Sequence, residues 1–144
     1  MNRDPATVLG FDYGEKRIGI AVGQTLTSSA RPLETVRVIA NRPDWESIDR
    51  LIQSWRPTQI IVGLPTKSDS SEHPLTASIH LFADELRKRY ALKVHLVNEY
   101  LSSHEAAKIA SIASGNATPH SQEAKERLDR ISAQVILETW LAEQ

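Results

Sequence analysis

The chain has 144 residues, 40% of them apolar and 24% charged, with a net charge of -1 and no cysteine. That is length enough for one domain, residues 1–144, with a real core, and it excludes disulfides and thiolate metal sites. No apolar run is long enough to span a bilayer, and the start, MNRDPATV, has no signal-peptide core. A cytoplasmic protein with no membrane partner is the expectation. The near-neutral charge gives no overall basic footprint for nucleic acid, although local patches count for more than the sum.

In chain order, Thr7 to Phe11 is an apolar strand that ends on a carboxylate, Asp12. A Tyr13-Gly14 turn follows, and Ile18 to Val22 is a second strand, with glycines at Gly19 and Gly23. Alternating Val and Ile around a short Gly-containing link predict a β-hairpin. Gln24 to Pro32 reads as a polar connection and Glu34 to Ile39 as a third strand, completing an antiparallel meander. Asp44 can cap a helix carrying Trp45, Ile48, Leu51, Ile52 and Trp55 near the 3.6-residue period, stopped by Pro57. Gln59 to Gly63 is a continuous apolar run, as in a strand covered on both faces.

Thr66 to His73 is small, polar and without periodicity, and Pro74 suits the first turn of the helix that follows. Leu75, Ile79, Phe82, Leu86 and Tyr90 form its stripe, and Arg87 to Arg89 lie at its carboxyl end, where cations suit the dipole. Lys93 to Asn98 alternates as a strand and delivers Glu99 at its end. Ser102 and Glu105 form a capping box for a helix that Gly115-Asn116 ends, and a last helix runs from about Ser121 to near Glu143. The order predicts an α/β protein. Its five-stranded mixed sheet has three antiparallel strands plus two parallel ones, with helices on both faces. Ligands of such sheets gather at the carboxyl ends of strands.

Three acids stand out. Asp12 and Glu99 lie at predicted strand ends, and Asp129 continues the apolar stripe of the last helix through Ser132, Ala133, Ile136 and Trp140. A carboxylate on a packing face needs a partner. For Asp12 the alternatives are an Asx-type turn or a cation site. For Asp129 they are a place near a helix N-terminus, a salt bridge to Arg127 or Arg130, or a cation site. Three acids converging would suit Mg²⁺ or Mn²⁺, which take oxygen ligands. Two such ions about 4 Å apart can activate a water and stabilise the leaving oxygen of a phosphodiester. Lys16 and Arg17, beside Asp12, are candidate phosphate contacts or solvated hairpin charges. The histidines show no metal-ligand spacing.

The run Phe11-Asp12-Tyr13-Gly14-Glu15-Lys16-Arg17-Ile18-Gly19 resembles the opening signature of the YqgF/RuvX family. Gly63-Leu64-Pro65, Glu72 to Thr76, Asn98 to Ser103, and Asp129 with Ser132-Ala133 and Ile136-Leu137 match in order across nearly the whole chain. The resemblance implies a ribonuclease H-like fold and a nuclease whose acidic, metal-binding residues are Asp12, Glu99 and Asp129. It implies a substrate of structured RNA, in 5'-end processing of the precursor of 16S ribosomal RNA, with branched DNA as the first alternative. A noncatalytic ribosome-biogenesis binder is a second alternative, and a sugar-kinase-like ATPase a third that lacks its second Asp-Gly loop and second domain here. Two departures from the family pattern stand in this chain. Tyr100 follows Glu99 where an Arg is usual, and Thr66-Lys67-Ser68 follows Pro65 where Asn and Gly are usual. Lys67 is the candidate substitute phosphate contact in that loop.

Overall fold

The computed structural model describes residues 5–65, 74–98 and 121–144. In chain order these form β1 (Thr7–Tyr13), β2 (Arg17–Gln24), β3 (Ser29–Ile39), β4 (Arg42–Pro43), α1 (Trp45–Trp55), β5 (Gln59–Leu64), α2 (Thr76–Tyr90), β6 (Lys93–Asn98) and α3 (Gln122–Ala142). The sheet order is β4-β3-β2-β1-β5-β6. β1 to β4 pair antiparallel, whereas β5 lies parallel to β1 and β6 parallel to β5. This is the expected mixed sheet with one addition: six strands instead of five.

The sixth strand is the two-residue β4, joined to β3 through Ala40 and Asn41, both at positive φ. Two successive residues of that kind make the tight turn whose twist matches a hairpin. Two residues ending in proline carry no periodic signal, so the sequence could not announce β4. β3 also begins five residues earlier than expected, at Ser29. The register against β2 shifts between Ile20 and Ala21, opposite Glu34 and Pro32. That bulge accommodates a proline and breaks the alternation that would have marked the strand. The capping box at Ser102 and the helix that it opens lie outside the described residues.

Alternation divides the apolar side chains between the two faces. Leu9, Phe11 and Tyr13 of β1 join Ile18, Ile20 and Val22 of β2, and pack with Ile48 of α1 and Ile79, Phe82 and Leu86 of α2. Phe82 is the hub of this layer, with Phe11, Tyr13 and Trp45 ring centroids 5.7, 5.0 and 5.5 Å away. On the opposite face Val8, Ala21 and Ile61 meet Ala133, Ile136, Leu137, Trp140 and Leu141 of α3. Asp44 caps α1, its carboxylate accepting from Ser47 N–H at 3.3 Å and from the Ser47 hydroxyl at 2.7 Å. Ser121 caps α3 by accepting from Ala124 N–H at 3.1 Å.

Candidate active site

The site is built from the face of β1 and β2 that α3 covers. Glycine sits at Gly10 of β1 and at Gly19 and Gly23 of β2, and each meets α3. A Cβ on Gly19 would lie 1.9 Å from the Asp129 carbonyl oxygen, so helix and strand touch backbone to backbone there. Only glycine permits that approach. Asp12 is the direct cross-strand partner of Gly19. Opposed residues of an antiparallel pair project to the same face, and Val8 and Gly10 share the parity of Asp12 on β1. Asp12 and Asp129, 117 positions apart in the numbering, therefore stand side by side on one face of the sheet.

The parallel strands bring a third position to this edge. Phe11 pairs with Val62, Gly63 with Val97 and Leu64 with Asn98, so β1, β5 and β6 finish together. Asn98 is the last residue of β6, and Glu99 follows it in the chain; Glu99 and Lys67 both lie outside the described residues. The α3-facing positions of β6 are His95, whose ring lies 5.4 Å from that of Trp140, and Val97. Among the described residues, no three His, Asp or Glu side chains gather closely enough to hold a metal ion. The described donors, Asp12 and Asp129, are hard carboxylate oxygens of the kind Mg²⁺ takes, and a complete site calls for a third.

Asp129 is paired, and with a residue other than the two expected. Arg17 Nε donates to its Oδ2 at 2.6 Å, and the two side chains are only 22% and 20% exposed. Arg127 instead bonds Glu123, and Arg130 donates to the Thr35 hydroxyl at 3.2 Å. Burial pushes the Asp129 carboxyl above the ordinary range; the bond and charge of Arg17 offset part of that rise, and Glu126 adds to it. One carboxylate oxygen, Oδ1, is left outside the Arg17 contact, and the pair opens to water on one side. Of the two readings of Arg17, phosphate contact or solvated hairpin charge, the second does not fit this half-buried pairing with Asp129. Lys16 is exposed on the link between β1 and β2. Gly14 holds that link tight, since a Cβ there would lie 2.6 Å from the Arg17 carbonyl oxygen.

Sequence reasoning missed Arg37, the cross-strand partner of Arg17 on β3. Its place depends on a register that no local pattern reveals. It also missed the role of Gly19, although a glycine inside an apolar strand is itself a sign of close backbone approach.

The family model described as "RuvX: Holliday junction resolvase" matches residues 6–143. A Legionella pneumophila protein named "Putative pre-16S rRNA nuclease" is 48% identical over 133 residues, covering 92% of this chain and 93% of that one. A Nitrosococcus oceani protein of the same name is 45% identical over 143 residues, covering 97% and 89%. Among solved structures, the Fowlpox virus resolvase bound to Holliday junction DNA superposes with a TM-score of 0.55 at 12% identity, covering 95% of this chain and 97% of that one. Thermus thermophilus RuvC superposes with a TM-score of 0.51 at 16% identity, covering 95% of both. At such identities these two likenesses speak for the fold alone, which is ribonuclease H-like. With the family model spanning almost the full length and relatives near half identical, this chain is a member of the RuvX family of nucleases.

Proposed function

We propose that this protein is a divalent-metal-dependent endonuclease that cuts structured RNA, with the 5' end of precursor 16S ribosomal RNA as its substrate in ribosome assembly in the cytoplasm. The observation that carries this reading is the seating of Asp129 on Gly19 beside Asp12, at the edge where β1, β5 and β6 end. Like charges on one face of a sheet favour a cation between them, and Arg17 meets only one oxygen of Asp129. Asp12, Asp129 and Glu99, which follows β6, are the proposed acidic set, able to hold Mg²⁺ or Mn²⁺. Such an ion supplies Lewis-acid activation of water and neutralises charge at the phosphate. Asp12, Glu99 and Asp129 would together hold the ion or ions. Lys16 and Lys67 would contact the phosphate backbone, and Arg17 would keep Asp129 ionised and oriented.

The relatives' names support the RNA reading, and the family's description as Holliday junction resolvases supports a second one, cleavage of branched DNA. Both can be tested together. End-labelled precursor RNA, unstructured RNA and a four-way DNA junction are incubated with the protein in Mg²⁺, in Mn²⁺ and in chelator, with Asp12→Asn as the control. The expected result is metal-dependent cleavage of the structured RNA that is lost in the variant. Cutting confined to the junction would transfer the site to DNA. Binding without cleavage of any substrate would leave a noncatalytic binder and end the nuclease reading.

A further inference from the structure

Beyond the acids, the same hairpin carries a cluster of like charges that Asp129 does not absorb. Arg17 and Arg37 are direct cross-strand partners on β2 and β3, and like charges so placed destabilise a sheet. The Arg17 guanidinium is engaged with Asp129. Among the described residues, neither the Lys16 ammonium nor the Arg37 guanidinium has an ion-pair partner. Both residues line an open depression of about 270 Å³, together with Arg17, Val38, Ile39 and Gln122, the first residue of α3. The Lys16 carbonyl accepts from Val38 N–H at 2.9 Å, which ties the hairpin link to β3 and keeps the backbones of Lys16 and Arg37 close together. The Gln122 amide nitrogen reaches Glu126 Oε1 at only 3.3 Å, a long contact that a better acceptor can displace.

We propose that Lys16, Arg37 and Gln122 form a second phosphate subsite, which takes a backbone phosphate of the nucleic acid strand beside the one at the Asp12–Asp129 site. This rests on the nuclease reading above. The ligand chemistry follows from the donors. Arg presents a planar fork matched to phosphate oxygens, Lys a mobile point charge, and the start of a 21-residue helix adds its own positive end. A carboxylate on a protein partner would satisfy the same charges, but Arg17 both lines this depression and pairs with Asp129, which sets the depression beside the proposed cleavage edge. A strand crossing that edge meets both. The subsite reads no bases, so it takes RNA and DNA alike and sets the strand's register.

The test measures binding of a labelled single-stranded RNA and a four-way DNA junction, in chelator, over a series of salt concentrations. Wild type, Lys16→Gln, Arg37→Gln and the double variant are compared. Lys93→Gln, which removes an exposed charge at the amino end of β6, is the control, and thermal melts check that each variant folds. The subsite predicts affinity about tenfold weaker in the double variant for both ligands, and a salt slope shallower by about 0.7 per lost contact on single strands. Arg37→Lys should recover only part of the loss, because the charge returns without the fork. Wild-type binding whose affinity and salt slope are the same in the double variant would overturn the subsite and leave the nuclease reading standing. Binding that depends on Lys16 and Arg37 in a protein that cuts nothing would support the subsite and remove the nuclease. A wild type that binds neither ligand would overturn both.

Discussion

The contact between Gly19 and α3 makes a quantitative prediction. In Gly19→Ala the new Cβ would stand 1.9 Å from the Asp129 carbonyl oxygen and 2.9 Å from the Arg130 nitrogen, where ordinary contacts begin near 3.4 Å. The obstacle is backbone, so no rotamer change relieves it, and α3 must retreat by about 1.5 Å at this point. A radial gap of 0.5–1 Å already forfeits a quarter to a half of a dispersion contact, and α3 buries Ala133, Ile136, Leu137 and Leu141 almost completely against this face. We expect a destabilisation of about 3 kcal/mol, which for a chain of this size lowers Tm by about 6–12 °C. Gly23→Ala is the internal comparison. Its Cβ would approach Leu137 Cδ2 at 2.9 Å, the far end of a side chain that can turn away, so about 1 kcal/mol is expected. Thermal and urea denaturation of both variants measure the difference. A Gly19→Ala protein melting within 2 °C of wild type, or less perturbed than Gly23→Ala, would refute the seating of Asp129 on β2.

The remaining predictions concern the site and two helix ends. Arg17→Ala strands a half-buried carboxylate and should cost about 1–3 kcal/mol; in a double-mutant cycle with Asp129→Asn the urea midpoints should reveal coupling of about 1 kcal/mol, and additive effects would deny the pair. Asp44→Ala should cost about 1 kcal/mol at neutral pH through loss of the α1 cap. The Asp44 carboxyl is held below its ordinary 3.8, chiefly by the Ser47 hydroxyl. Its contribution is therefore complete above that value and is lost as pH falls through the lower folded-state value, so the wild-type advantage over the variant should shrink below pH 4 in denaturant titrations. Ala91 ends α2 at φ 54, ψ 37, in the left-handed region. Ala91→Gly should raise stability by about 1 kcal/mol, and a lower Tm would contradict that backbone conformation.

Much of this molecule was legible in one dimension. Strand and helix types follow from alternation and the 3.6-residue period, because burial on one face imposes both. The β1–β2 hairpin, the α1 cap at Asp44 and the placement of Asp129 on a packing stripe could all be read locally, as could the family through its spaced motifs. Tertiary structure alone decided what depends on register and close approach. That Asp129 rests on Gly19 beside Asp12, that its partner is Arg17 instead of Arg127 or Arg130, and that Arg37 stands opposite Arg17 are properties of strand pairing and helix seating. A side chain's neighbours across a sheet are set by a shift of single residues summed over bulges such as the one at Ile20 and Ala21. Local sequence encodes which face a residue takes; only the folded chain determines whom it meets there.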